Sequence, residues 1–146
     1  MDFVPVVRRC AVVACTILAA ACEPTKLPDR GWPSYNGDLA GARTAPLAQI
    51  TTANVGELRP VCRLRVGEEG SFQTGPIVVG DTIYVTTPHT TVAARASTCD
   101  VLWRHTDTVP RADVFVVNRG AAIANGRLFR GTPDGRLLAL DRKRVV

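Results

Sequence analysis

The sequence lacks the short motifs by which most cofactor and metal chemistry is recognised. It has no Cys-x-x-Cys-His to attach a c-type haem, no glycine-rich phosphate loop and no Ser/His/Asp order. No His and Cys residues cluster at metal-ligand spacing. His89 and His105 stand alone and read as surface or core side chains. Runs of charge are also missing. Lys+Arg number 18 against 13 Asp+Glu, a net charge of +5, and arginine supplies 16 of the 18 cations. Those arginines are scattered and form no basic tail or patch, which argues against a nucleic-acid partner. With 46% hydrophobic and 21% charged residues, the chain is neither disordered nor collagen-like nor a disulfide-packed miniature. Its 146 residues allow about one domain with a modest core, and 12 Gly and 10 Pro make it rich in turns.

Residues 1–22 read as a signal peptide and not as part of the fold. Arg8 and Arg9 give a positive start, and 11–21 is an uncharged, mostly apolar run too short to span a bilayer. The run ends Leu18-Ala19-Ala20-Ala21-Cys22, which resembles the lipobox of bacterial lipoproteins, with Leu18 one position farther out than the pattern has it. Cys22 is therefore the candidate lipidation site. Ordinary cleavage near Ala21 and an uncleaved anchor are the competing readings. Residues 23–30 form a polar linker with two prolines. Once Cys10, Cys15 and Cys22 are assigned to the leader, Cys62 and Cys99 remain. In an oxidising compartment they either pair as a disulfide or stay as two buried thiols.

From residue 31 to 146 the pattern is all-β. Thr51 or Thr52 is placed to cap a short helix over 53–58. Residues 61–66 alternate like a strand. Residues 76–79 and 82–87 flank Gly80-Asp81 as a hairpin, and 91–94 and 101–105 read as two more strands. The same phrase then returns. Ala122-Ile123-Ala124-Asn125-Gly126-Arg127-Leu128-Phe129 repeats Ile77-Val78-Val79-Gly80-Asp81-Thr82-Ile83-Tyr84 at an offset of 45, which slips to 46 where Ala93-Ala94-Arg95 recurs as Ala139-Leu140-Asp141. A repeat of ~40–50 residues built from strand pairs marks a β-propeller blade. The chain holds about one and a half to two blades. The second repeat stops before the tryptophan that the first places at Trp103, so the sequence reads as the front of a longer protein.

Specific phrases narrow the family. Trp32-Pro33-Ser34-Tyr35-Asn36-Gly37-Asp38, followed by Ala45-Pro46-Leu47 and Ile50-Thr51-Thr52-Ala53-Asn54-Val55, resembles the opening of the quinoprotein alcohol dehydrogenases, which use pyrroloquinoline quinone (PQQ). Ala93-Ala94-Arg95-Ala96-Ser97-Thr98-Cys99-Asp100-Val101-Leu102-Trp103 resembles their tryptophan-docking repeat, with Arg95 in place of an Asp and Cys99 in place of a Gly. Val117-Asn118-Arg119-Gly120 matches their Val-Asn-Arg-Gly, and Gly131-Thr132-Pro133-Asp134-Gly135-Arg136-Leu137 is again close. The resemblance covers nearly all of 31–146.

It implies an eight-bladed propeller with PQQ near the axis beside a calcium ion. It implies oxidation of an alcohol or sugar, with electrons passed to a haem protein or a quinone, on the periplasmic side of a bacterial membrane. Two cofactor contacts carry over. Arg119 matches the arginine that bonds the polar oxygens of the quinone, where a planar guanidinium can polarise a carbonyl gaining charge. Gln73 falls where many members have a glutamate, and its amide can still hydrogen-bond. The competing readings are a surface arginine and a glutamine that leads into a strand. Many members carry two adjacent cysteines shortly before the Asn-Arg-Gly, but this chain has Asp113-Val114 there. The family's catalytic aspartate and calcium ligands come from later blades, so no catalytic or metal residue is assigned, and the chain alone is expected to be inactive. Two other readings compete: a non-enzymatic scaffold lipoprotein of the outer-membrane assembly type, and a gene product without function.

Overall fold

The computed structural model describes residues 31–38, 40–45, 47–67, 72–108 and 117–143. The expected signal peptide with Cys22, the linker and Asp113-Val114 lie outside the described residues.

Among the described residues, eight strands form two antiparallel sheets. The first runs β1 (Gly31–Trp32), β2 (Ile77–Val79), β3 (Thr82–Thr86), β4 (Thr90–Arg95) and β5 (Val101–Thr106), in that spatial order. The second is β6 (Ala122–Ala124), β7 (Arg127–Gly131) and β8 (Leu137–Asp141). The repeat read from the sequence is visible in the strands. β6 and β7 start 45 residues after β2 and β3, and β8 ends 46 after β4. The β6–β7 turn explains itself, because Asn125 (φ 48°) and Gly126 (φ 75°) both take the positive φ that a tight two-residue hairpin requires.

Two local expectations change. The helix expected over 53–58 is a single 3-10 turn, Val55–Glu57, preceded by Asn54 and not capped by Thr51 or Thr52. The Asn54 side chain faces backwards, accepting from the Thr51 N–H (2.7 Å) and donating to Gln49 O (2.7 Å), so the stretch closes as a loop. Residues 61–66 do alternate between outside and inside, but they join no sheet ladder. Val61 points out, and Cys62, Leu64 and Val66 turn toward Ile83 and Val85 on the back of the first sheet. Arg104 Nη1 donates to Val66 O in place of ladder bonds.

A disulfide pins this segment. Cys62 and Cys99 are bonded, with Cα atoms 5.8 Å apart and a sequence separation of 37. Closing a loop of that size is worth about 2–4 kcal/mol. Cys99 has φ 63°, the left-handed conformation natural to glycine, which costs another residue about 1 kcal/mol. The cross-link outweighs that strain.

The core lies between the sheets. Register places Ile77, Tyr84, Ala93 and Trp103 side by side in one row across β2–β5. All four are buried, and Leu128 packs into them with Ile123 and Leu140, its neighbours in the facing row of β6–β8. Tyr84 and Trp103 meet with ring centroids 6.0 Å apart and planes tilted by 50°. Their polar ends share one acceptor in the second repeat: Trp103 Nε1–H (3.1 Å) and Tyr84 O–H (3.2 Å) both donate to Arg142 O. Burial pushes the Tyr84 phenol above its usual pKa, so it remains a donor.

Trp103→Phe keeps an aromatic ring in the row but loses the bond to Arg142 O. We expect it to cost about 1 kcal/mol, and Trp103→Ala about 3–5 kcal/mol, in denaturant unfolding. Equal costs for the two would mean that the indole N–H, and not ring packing, dominates this contact.

Candidate functional site

The 45-residue repeat has a spatial consequence. Gln73-Thr74-Gly75 leads into β2 as Asn118-Arg119-Gly120 leads into β6, and the two lead-ins lie side by side. Gly75 and Gly120 form a parallel bridge, and the Gly75 N–H donates to Arg119 O at 3.1 Å. The two candidate cofactor contacts are thereby brought onto neighbouring segments, both with exposed side chains. Arg119 helps to line an open cleft of about 400 Å³ walled by 117–120 and 131–133, while Gln73 sits on the adjoining lead-in and is not among its walls.

Glycine is required where the lead-ins meet. A Cβ on Gly75 would sit 2.3 Å from Cδ2 of Tyr35, and one on Gly120 would sit 2.8 Å from Gly75 O. Gly120 also has φ 125°. Tyr35 is delivered by the Trp32–Asp38 phrase, which folds on itself. The Trp32 ring lies against Gly37, where a Cβ would come within 2.9 Å. The Gly37 N–H bonds Ser34 O at 3.1 Å, and Asn36 accepts from both Arg43 N–H (through its backbone O, 3.1 Å) and Arg43 Nε (through Oδ1, 3.0 Å).

Behind Arg119 lies a buried polar layer. Asn118 (8% exposed) accepts from Thr86 Oγ1 at 2.5 Å and from the Gly120 N–H at 2.9 Å, and it donates Nδ2 to Gly131 O at 2.9 Å. Thr86 Oγ1 is also 2.8 Å from Thr74 Oγ1. Nearby, the buried Arg130 of β7 crosses between the sheets to donate to Thr91 Oγ1 (3.2 Å) and Pro88 O.

The Thr132-Pro133 side of the cleft continues into an acid–base turn. Thr132 Oγ1 (2.5 Å) and Arg136 Nε (2.7 Å) both donate to Asp134, and Arg136 Nη2 reaches Asp107 at the end of the β5 segment at 3.0 Å. The Thr132 hydroxyl first, and then Arg136, hold the Asp134 carboxyl below the usual carboxylate range. Asp134 in turn raises the Arg136 pKa. Asp134 is thus committed to its turn and is not placed as a base. Among the described residues, no three His, Cys, Asp or Glu side chains converge as metal ligands.

Sequence reasoning missed Tyr35, Thr86 and Asn118 as parts of this site. Each lay within a phrase or strand already noted, but their meeting depends on contacts 32 or more residues apart. The one usable signal was the offset itself, which aligns Gly75 with Gly120.

Comparison with known proteins agrees with the repeat fold. Residues 32–144 match the family described as PQQ: glucose/ethanol/alcohol dehydrogenase, beta-propeller domain. The chain is 37% identical over 140 residues to the 1-butanol dehydrogenase (cytochrome c) of Thauera butanivorans, an alignment covering 92% of this chain and 19% of that protein. It is 35% identical over 122 residues to the lanthanide-dependent methanol dehydrogenase of Methylacidiphilum fumariolicum, covering 75% of this chain and 20% of that one. Its fold superposes on the quinohemoprotein alcohol dehydrogenase of Pseudomonas putida with a TM-score of 0.71 at 30% identity, covering 79% of this chain and 18% of that structure. The two sheets are therefore blades of the quinoprotein propeller type, and the chain spans about a fifth of the length of these relatives.

Two tests follow from the geometry. Gly75→Ala drives a methyl into the Tyr35 ring and should cost about 1–3 kcal/mol in thermal or denaturant unfolding. Combining it with Tyr35→Ala should cost less than the two changes added, and strict additivity would show that Gly75 and Tyr35 do not press on each other. Because the Asp134 pKa is lowered by folding, its stabilisation is present above the unfolded carboxylate value, about 3.9, and is lost as pH falls through the folded value. Asp134→Asn should flatten that acid limb of a stability–pH profile, and an unchanged limb would place the acid sensitivity elsewhere.

Proposed function

Because the chain belongs to the PQQ glucose/ethanol/alcohol dehydrogenase β-propeller family, we propose that it supplies part of the quinone site of an exported bacterial dehydrogenase. Arg119 and Gln73 are the cofactor contacts in this reading. The observation that carries it is their placement on lead-ins joined by the Gly75–Gly120 bridge, with Arg119 in the wall of the cleft.

The donor set suits PQQ. A guanidinium offers a fixed fork of N–H donors to quinone and carboxylate oxygens, and an amide beside it can donate or accept. When bound, PQQ supplies the two-electron acceptor for oxidation of an alcohol or sugar. Arg119 holds polar oxygens of the cofactor and stabilises charge that develops there. Gln73 orients by hydrogen bonding but cannot take a proton, so the general base is not Gln73. The calcium implied by the family has no cluster of acidic, His or Cys ligands among the described residues.

The alcohol or sugar substrate and the haem-protein or quinone acceptor belong to the reading of the whole enzyme. So do export through 1–22, anchoring at Cys22 and a periplasmic location. The chain spans about a fifth of the length of its relatives, and in this reading it contributes cofactor contacts but no assigned catalytic residue. The scaffold-lipoprotein alternative is not favoured: the family match and the relatives named above are all dehydrogenases.

The test is a PQQ titration of the mature chain with calcium present, following cofactor absorbance alongside a size measurement. A folded, monodisperse chain should bind saturably, with no oxidation of 1-butanol, and Arg119→Ala should weaken binding about tenfold. A folded chain that takes up no PQQ overturns the site, and Arg119→Ala binding as tightly as the parent overturns the role of Arg119.

A further inference from the structure

The hydrogen bonds behind Arg119 form one continuous line, buried at its Thr86–Asn118 link and part-buried on either side of it, while the side chains it serves are exposed. Its directions are forced. The Gly120 N–H can only donate and Gly131 O can only accept, so the Asn118 amide has a single orientation, with Oδ1 toward Gly120 and Nδ2 toward Gly131. Asn118 Oδ1 then takes the one hydroxyl hydrogen of Thr86 across 2.5 Å. Thr86 Oγ1 is left as acceptor, and Thr74 is the donor across their 2.8 Å contact. Donation therefore runs from Thr74 to Thr86 to Asn118 to Gly131.

Two members of that line adjoin the candidate cofactor contacts. Thr74 follows Gln73 in the chain, and Asn118 precedes Arg119. Outside the line, the backbone bond from the Gly75 N–H to Arg119 O at 3.1 Å closes a ring. Thr86 contributes from the middle of the first sheet, 2% exposed, and Asn118 is 8% exposed. Buried bonds of this kind resist distortion, because a group left unpaired costs more than its bond contributes. Valine would suit position 86 equally well as a β-branched strand residue. The hydroxyl therefore serves the line of bonds and not the sheet.

We propose that Thr86, acting through Asn118, is a positioning residue that sets the spacing and direction of Arg119 relative to Gln73. This rests on the reading of Arg119 and Gln73 as quinone contacts. Neither Thr86 nor the oriented amide of Asn118 is asked to react. They hold two lead-ins from different sheets at one separation, so that a rigid planar ligand meets both side chains at once.

The experiment compares the full chain with Thr86→Val, which keeps the shape and removes the hydroxyl, and Thr86→Ser, which restores it. Amide hydrogen exchange and PQQ titration are read on each. We expect Thr86→Val to speed exchange at Gly75 and Gly120 about five- to tenfold, to leave Tyr84 and Ala93 at parental rates, and to weaken PQQ binding about tenfold. Thr86→Ser should return both readouts toward the parent. A merely structural threonine would instead raise exchange evenly across both sheets, and that result overturns the proposal. Should Thr86→Val not fold, Thr74→Val against Thr74→Ser decides the same question at the other end of the line, with unchanged Gly75 exchange as the overturning result. No PQQ binding by the parent chain overturns the quinone reading and the role assigned here with it. Parental binding that persists in Thr86→Val, with Gly75 exchange unaltered, overturns the positioning role alone.

Discussion

Two apolar rows pressed face to face hold the rest of the structure in place. Ile77, Tyr84, Ala93 and Trp103 cross the first sheet in register, and Ile123, Leu128 and Leu140 cross the second. A small sheet of three to five strands cannot bury its surfaces alone, so each sheet is stable to the extent that the other covers it. The indole and phenol that converge on Arg142 O turn this non-directional packing into a fixed alignment.

Beyond those rows the same interface becomes polar, and its purpose changes. Two residues along each strand from the apolar row, Thr86 and Thr91 meet Asn118 and Arg130. Such bonds contribute little net stability, about 1 kcal/mol each, but they penalise every misregistered arrangement. The core thus lies at one end of the interface and the candidate site at the other, and the alignment made by the first is passed to the second. The disulfide acts on the opposite face, holding 61–66 against the first sheet in the absence of ladder bonds.

Much of this was legible in the residues. The repeat, the Gly80-Asp81 and Asn125-Gly126 hairpins and the strands other than β1 follow from local pattern and turn chemistry; β1 (Gly31–Trp32) has no strand pattern of its own and exists through its pairing with Val78 and Val79. The family followed from the Trp32–Asp38 and Val117–Gly120 phrases, and its match over 32–144 bears that out. The exceptions share a cause. Over 61–66 the alternation correctly marked an inside and an outside, but alternation does not say whether a neighbour offers ladder bonds or only a surface. Around 51–58, competing side-chain bonds of Asn54 took the place of the expected cap.

By itself the sequence determined the all-β repeat, its period, its hairpins and the family to which it belongs, because these depend on residues within a few positions of one another or on whole phrases. Only the tertiary structure decided that Gly75 meets Gly120, that Tyr35 lies on Gly75, that Cys62 is bonded to Cys99, and that Thr86 supports Asn118. Those contacts join residues 32 to 45 positions apart, and they exist only once two sheets have packed in one alignment. No local preference encodes that alignment. It comes from the fit of the two buried rows.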